Sequence, residues 1–97
     1  MPMFILALNW TDQGIRNVKD APKRSEAARA LAKEVGVEIK DVYLTSGDTD
    51  LLLFVDTPSG DNVAKFALAL SMLGNVRTRT MRAWPESEFA RLISELP

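Results

Sequence analysis

The amino-acid sequence predicts an α+β fold with a four-stranded antiparallel sheet, and three observations indicate it. Segments typical of strands and of helices follow one another in the order strand, helix, strand, strand, helix, strand, helix. Two of the strands are apolar on both faces, and the other two carry charges. The chain has 97 residues, too few for two independent cores, so we expect residues 1–97 to form one domain.

The four predicted strands differ in how apolar they are. The first, Met3 to Leu8, and the third, Asp50 to Asp56, are almost continuous apolar runs, which is typical of strands buried on both faces. The second, Val37 to Thr45, and the fourth, Val76 to Trp84, alternate and carry charges, which is typical of sheet edges. Apolar strands in the centre and charged strands outside predict the spatial order 4-1-3-2 of a ferredoxin-like β-α-β-β-α-β sheet.

Simple alternation also predicts which side chains of the second strand share a face. One face is expected to hold Val37, Ile39, Asp41 and Tyr43, and the other Glu38, Lys40, Val42 and Leu44. Each face mixes apolar and charged side chains, so the strand is expected to be half-buried.

Helical spacing predicts three main helices. They run from Pro22 or Ser25 to Val35, from a cap at Ser59 or Asp61 to Met72, and from Glu86 to Leu96. A short helical turn precedes the first of them, with Thr11 and Asp12 as possible N-caps. Gly36 and Gly74 stand where the first two helices should end.

The predicted sheet has one face that the two helices between the strands do not cover. Because the central strands are apolar on both faces, that face would be a large apolar patch, which monomers rarely expose. We therefore predict a homodimer, or a higher oligomer, in which sheets stack on each other. The C-terminal helix either caps part of this face or clasps the partner at the rim of the dimer.

The composition excludes several kinds of chemistry. The chain has no cysteine and no histidine, so it has no disulfide, thiolate metal site or thiol nucleophile, and it lacks the commonest general base. No tight spacing of Asp and Glu suggests a carboxylate metal site. We therefore predict neither a metal nor a cofactor.

Charge and hydropathy limit the partners further. The 12 basic and 13 acidic residues give a net charge of −1, which provides no general attraction for nucleic acid or anionic membrane. The apolar N-terminal run lacks the basic region and cleavage site of a signal peptide, and it is too short to cross a bilayer. We expect a cytoplasmic protein that binds neither nucleic acid nor membrane.

Three segments carry a resemblance to a known family. Asn9 to Arg16 and Lys19 to Arg24 resemble the first helical region of the GYD family of small bacterial proteins, and Gly74 to Thr80 resembles the segment before its last strand. The Gly-x-Tyr-Asp-like motif of that family reads Gly47-Asp48-Thr49-Asp50 here, with Thr49 at the tyrosine position. The resemblance implies a dimeric α/β barrel and no known activity.

Asn9, Trp10 and Arg16 form the first candidate ligand site. They lie just past a central strand, where ligands often approach the open end of a sheet. An amide, an indole and a guanidinium could orient a small aromatic or carboxylate ligand. The alternative interpretation, which we favour, is a structural strand-to-helix corner with Trp10 as a packed amphipathic residue.

Further candidates lie on the edge strands. Arg77 and Arg79 share a strand face and could bind a carboxylate or phosphate, although edge-strand charge that prevents aggregation explains them more simply. Tyr43 could act in acid-base chemistry or simply fill an amphipathic strand position. Asp48 and Asp50 lie instead at the Gly47 turn before the third strand, where one of them could act as a base or bind a cation, but aspartate also favours turns for local hydrogen bonding.

These residues lead to two functional hypotheses. The preferred one is a homodimeric domain that binds a small organic or anionic ligand in a cleft between sheet and helices. The alternative is a cofactor-independent enzyme, of isomerase or monooxygenase type, acting on a small aromatic or carboxylate compound.

Overall fold

The computed structural model describes all 97 residues, Met1–Pro97, and contains four strands and four α-helices. In chain order these are β1 (Met3–Trp10), α1 (Asp12–Arg16), α2 (Ala21–Glu34), β2 (Glu38–Leu44), β3 (Leu51–Asp56), α3 (Gly60–Met72), β4 (Val76–Ala83) and α4 (Glu86–Ser94), with a 3-10 turn at Val18–Asp20. All neighbouring strands are antiparallel, in the order β2-β3-β1-β4. The predicted α+β ferredoxin-like topology is confirmed.

The helix ends follow from local chemistry. The Thr11 hydroxyl accepts a hydrogen bond from the Gly14 N–H at 3.1 Å and caps α1, and Ser59 caps α3 in the same manner. Gly36 follows α2 with φ 76°, and Gly74 follows α3 with φ 85°. These positive φ values favour glycine, so both helices end where the sequence predicts.

The core lies between one face of the sheet and the helices α2 and α3. Its buried members are Leu6, Leu8, Ala32, Val37, Leu53, Val55, Val63, Phe66 and Leu70. Phe66 on α3 is completely buried, and burying such a side chain stabilises the fold by about 1.5–3 kcal/mol. The buried Thr57 hydroxyl donates to the Gly36 carbonyl at 2.9 Å, so no polar side chain in the core lacks a partner.

A β-bulge changes the faces of β2 from those that simple alternation predicts. Ile39 pairs with Val55, but the next register pair joins Asp41 to Phe54, so one extra residue is inserted at Lys40. Val42 therefore lies opposite Leu53 on the helix-covered face, and Leu44 lies opposite Leu51. The predicted separation of Ile39 from these two side chains is wrong, because the bulge shifts the alternation by one residue.

The second face of the sheet, called the open face below, has no helix over it. Its side chains are Met3, Ile5, Ala7 and Asn9 of β1, Leu52, Phe54 and Asp56 of β3, Glu38, Asp41 and Tyr43 of β2, and Arg77, Arg79, Met81 and Ala83 of β4. Tyr43 and Phe54 pack edge to face with ring centroids 5.7 Å apart. Stacking of two such faces stays a prediction.

The C-terminal helix α4 does not cap the open face. None of the substantial contacts between elements involves α4, and every residue from Phe89 to Pro97 is at least partly exposed. The molecule is correspondingly long and thin, with extents of 51 × 31 × 17 Å. The capping position is thus wrong, and the position at the rim of a dimer stays a prediction.

Candidate functional site

The start of α1 and the start of β4 contact each other and form one end of the candidate site. The Thr11 N–H donates to the Asn75 carbonyl at 3.0 Å, and the Thr11 hydroxyl donates to the Gly74 carbonyl at 2.6 Å. A Cβ at Gly14 would lie 1.9 Å from the Asn75 carbonyl oxygen. Only glycine fits this close approach, and it lets two of the three family-like segments, Asn9 to Arg16 and Gly74 to Thr80, come into contact here.

A cleft of about 380 Å³ opens beside this contact, between α2 and the helix-covered face of the sheet. It is lined by 17 residues, 13 of them hydrophobic, from all four strands, the loop before β4, and α2 and α3. Small side chains on α2, namely Ala21, Ser25 and Ala28, face larger ones on the strands, such as Leu8 and Val42. This difference in side-chain size leaves the space open.

The β2 bulge contributes to the cleft. Ile39, Val42 and Leu44 all line it, and they do so because the inserted residue places the latter two on the helix-covered face. Without the bulge, Val42 and Leu44 would point to the open face. The bulge therefore makes the cleft wall more apolar.

Four side chains with polar groups reach the cleft: Trp10, Arg24, Ser25 and Asn75. Arg24 is the only charged residue of the lining, and it is half-buried. One of its N–H groups donates to the Gly14 carbonyl at 3.1 Å, which holds the guanidinium beside α1. A guanidinium has further N–H donors in a planar fork, a geometry that matches a carboxylate.

Asp50, just before β3, is held by hydrogen bonds to the backbone of β1 and is not part of the cleft lining. Its carboxylate accepts a hydrogen bond from the Trp10 N–H at 2.9 Å, and its own N–H donates to the Leu8 carbonyl at 3.0 Å. These bonds continue the pairing of β1 and β3 beyond the last register pair. The geometry favours the structural interpretation of Asp50 over a role as a base.

A polar network ties the loop between β2 and β3 to β4. Arg79 donates to the Thr49 hydroxyl at 2.8 Å and to the Asn9 side-chain oxygen at 3.2 Å. The Asn9 amide donates to the Asp48 carbonyl at 2.7 Å. Thr49, at the position of the family tyrosine, thus accepts a hydrogen bond that fixes the loop against the open face.

The structure divides the six candidate site residues between different surfaces. Trp10 lines the cleft, whereas its neighbour Asn9 lies on the open face with Tyr43, Arg77 and Arg79. Arg16 is exposed at the end of α1. Neighbouring residues of a strand point to opposite faces, so Asn9 and Trp10 do not contact the same ligand.

Arg24, Ser25 and Asn75 are not among the candidate residues that the sequence indicates. Arg24 ends one of the family-like segments, and Ala21, Ser25 and Ala28 follow helical spacing as small residues. That spacing alone is equally typical of a helix packed closely on a sheet. The cleft arises from how the first half of α2 packs over the strands, which the local pattern does not contain.

The structure contains neither a cluster of metal ligands nor a membrane-spanning helix. No group of three or more acidic side chains lies close enough together to hold a metal ion. Every helix is too short or too polar to cross a membrane.

The chain resembles a known family and a curated protein over most of its length. A family model described as the GYD domain matches residues 4–93. A protein of Thermus thermophilus named glutamine synthetase and cystathionine beta-lyase binding protein is 32% identical over 94 residues. The match covers 95% of this chain and 99% of that protein.

Solved structures share the fold at lower sequence identity. The leucine response regulatory protein of Mycobacterium tuberculosis has a TM-score of 0.64 at 20% identity, covering 87% of this chain and 51% of that one. A feast or famine regulatory protein of the same organism, complexed with L-methionine, has a TM-score of 0.66 at 21% identity, covering 88% and 51%. TTHA0845 of Thermus thermophilus has a TM-score of 0.56 at 18% identity, covering 88% and 95%.

These likenesses differ in what they show. The chain spans about half the length of the two mycobacterial regulators, and identities near 20% establish a shared fold only. The family model covers almost the whole chain, and the curated relative matches nearly end to end. This chain belongs to the GYD domain family.

Proposed function

We propose that this chain is a non-catalytic binding domain whose cleft takes a small molecule with an apolar body and an acidic end. The observation that carries the proposal is the cleft of about 380 Å³ between α2 and the sheet. Its volume falls in the range of about 300–1,000 Å³ typical of small-molecule sites, which are likewise mostly apolar with few polar groups. Arg24 supports the choice of an acidic end, because it is the only charged side chain in the lining.

The expected affinity is modest. A ligand that buries about 150 Å² of apolar surface gains about 4 kcal/mol from that burial. A charge-assisted hydrogen bond to Arg24 adds about 1.5–3 kcal/mol, partly offset by the loss of ligand freedom. We therefore expect binding in the micromolar to millimolar range.

L-Methionine is a suitable first probe. It combines an apolar side chain with a carboxylate, and a structural neighbour is complexed with it. Hexanoate and hexylamine form a matched pair, since they share an apolar chain and carry opposite charges. An acid-selective cleft should distinguish these two.

The enzyme alternative draws less support from the same geometry. The cleft lining contains no carboxylate, lysine or tyrosine that could transfer a proton. Asp50, the acidic group nearest in sequence to the lining residue Leu51, is held by the Trp10 N–H. An isomerase or monooxygenase would need groups that approach the ligand, and Ser25 and Asn75 offer only neutral hydrogen bonds.

A second candidate function is docking on metabolic enzymes. The Thermus relative is named for binding glutamine synthetase and cystathionine beta-lyase. Exposed apolar side chains on the open face and on α4 would be available for such a contact.

We also propose that the chain forms a homodimer through its open faces, since no helix of the chain covers them.

Trp10 fluorescence tests the ligand proposal. Trp84→Phe leaves Trp10 as the only tryptophan, since the chain has two, and Phe keeps an aromatic ring beside Arg82. Hexanoate and L-methionine should change the fluorescence saturably, and hexylamine should bind at least about tenfold more weakly. Equal responses to hexanoate and hexylamine, or no saturation with any probe, would contradict the proposal.

Matched substitutions locate the response. Arg24→Gln should weaken hexanoate binding by about tenfold or more, whereas Arg16→Gln, on an exposed arginine outside the lining, should not. Ala27→Phe should fill the cleft and abolish the response, with Ala30→Phe as the control on an exposed site of α2 outside the lining. If all four variants bind hexanoate alike, the ligand lies elsewhere.

A further inference from the structure

The C-terminal helix α4 is amphipathic and makes no substantial contact with another element of its own chain. Its apolar side chains Phe89, Leu92 and Ile93 lie on one face at helical spacing and are 56, 37 and 53% exposed, and Leu96, 65% exposed, follows just after the helix. A helix of nine residues is shorter than the roughly 12–15 residues at which isolated helices become even marginally stable in water. The stability of α4 therefore calls for a surface that covers its apolar stripe.

The place where α4 leaves the sheet is held by an aromatic stack. The Arg82 guanidinium lies 4.6 Å from the Trp84 ring centroid and 5.6 Å from that of Phe4. It also donates to the Met3 carbonyl at 3.1 Å. The stack anchors the end of β4 to the start of β1, and the exposed helix extends beyond it.

We propose that α4 is an arm that docks on the open face of a second copy of the chain, beside its strand β4. The inference rests on the homodimer proposed above and names the element that completes it. The chain leaves two surfaces uncovered, the open face and the α4 stripe. In a second copy the same two surfaces are uncovered, so the stripe of one copy can cover the open face of the other. In a two-fold dimer each copy gives one arm and receives one, so the assembly closes at two chains.

The size of the sheet supports this occupant. Four strands about 4.8 Å apart and about seven residues long have a footprint of about 19 by 23 Å, or about 440 Å². A standard stable interface buries about 800 Å² on each partner. A footprint of this size leaves room for further contact beside the stacked sheets, and one arm given and one received, each about 14 Å long, enlarge the interface.

The charges are complementary as well. α4 and its C-cap carry Glu86, Glu88 and Glu95 against the single base Arg91. The open side of β4 carries Arg77 and Arg79. An acidic arm beside a basic edge strand of the second copy is attractive, whereas an acidic helix is poorly suited to an anionic membrane.

Sedimentation of the full chain and two matched variants tests the arm. Phe89→Glu places a charge in the middle of the apolar stripe, and Ser87→Glu adds the same charge on the other side of the helix. Phe89→Glu should raise the dimer dissociation constant by about 30-fold or more, as expected for an interface anchor. Ser87→Glu should leave it within about threefold.

Cysteine cross-linking provides a readout that does not depend on the loss of assembly. The chain has no cysteine, so Leu92→Cys and Met81→Cys can be made singly, mixed and oxidised. A disulfide between the two differently tagged chains is expected. Replacing Leu92→Cys by Ser94→Cys, which faces away from the stripe, should remove most of that product.

The outcomes separate this inference from the homodimer itself. A monomeric full chain at micromolar concentration overturns both. A dimer whose dissociation constant is unchanged by Phe89→Glu, with no cross-link, leaves the stacked sheets and overturns the arm. Loss of binding to purified glutamine synthetase in Phe89→Glu, with the dimer intact, would also overturn it and assign α4 to an enzyme partner.

Discussion

The two faces of the sheet are built from similar side chains and end in different environments. On β1 and β3, Leu6 and Val55 point to the helices and are fully buried, whereas Ile5 and Phe54 point to the open face and keep part of their surface exposed. The covered face packs into a core and leaves a cleft beside α2. Residue type alone therefore does not decide burial, because the helices decide which apolar side chains become core.

The faces also differ in their polar groups. On the covered side of the sheet, Arg24 of α2 is the only charged side chain that lines the cleft. On the open face, charges lie at both edges, with Asp41 on β2 and Arg77 and Arg79 on β4. An apolar centre with a charged rim is typical of a surface that contacts another protein, whereas the cleft has the character of a small-molecule site.

Paired phenylalanine substitutions should show the largest difference between the faces. Phe66→Ala on the covered face should lower the free energy of unfolding by about 3–5 kcal/mol, because it leaves a cavity in the core. Phe54→Ala on the open face should cost clearly less at low protein concentration and more at high concentration, when the proposed dimer forms. Urea unfolding at two concentrations measures both, and equal, concentration-independent losses would contradict the contrast.

Glycine substitutions should have an intermediate effect and test the end wall of the cleft. Gly14→Ala should destabilise by about 1–3 kcal/mol, because its Cβ would meet the Asn75 carbonyl and push α1 away from β4. Gly60→Ala is the control, since its nearest neighbour is Phe4 at 3.9 Å and alanine there should be neutral or stabilise by about 0.4–1 kcal/mol. Thermal unfolding checks the order; a Gly14→Ala protein as stable as Gly60→Ala would refute the close contact.

Thr49 should give the smallest change. Thr49→Val removes the acceptor for Arg79 at the edge of the open face and should cost about 0.5 kcal/mol, because water can replace an exposed hydrogen bond. Thr49→Ser keeps the hydroxyl and should cost less. A loss above about 2 kcal/mol in urea unfolding, well beyond the usual value for one such bond, would show that this network does more than fix the loop.

Much of the fold follows from local patterns. The apolar runs of β1 and β3 and the charges on β2 and β4 predict the strand order, and the caps at Thr11 and Ser59 predict helix starts. The β2 bulge does not follow, because inserting Lys40 depends on pairing with β3, and alternation is the default along a strand. Its consequence, two apolar side chains moved into the cleft, was therefore missed.

The candidate site was less predictable than the fold. Trp10 was singled out and lines the cleft, but Asn9 belongs to the other face because adjacent strand residues alternate. Arg24 lies in α2 and Asn75 lies immediately before β4, so the two residues are 51 positions apart in the sequence. Their approach depends on the contact between α1 and β4, and no short-range pattern reports such a contact.

The sequence by itself determined the order of the elements, their ends and the presence of more apolar surface than two helices can cover. Those features depend on spacing, capping and composition, which are local properties of the chain. Tertiary structure decided that the first half of α2 leaves a cleft over the sheet, that the bulge supplies part of its wall, and that α4 makes no substantial contact with its own sheet. These depend on distances between elements that are remote in sequence, where the packing of whole side chains sets the result.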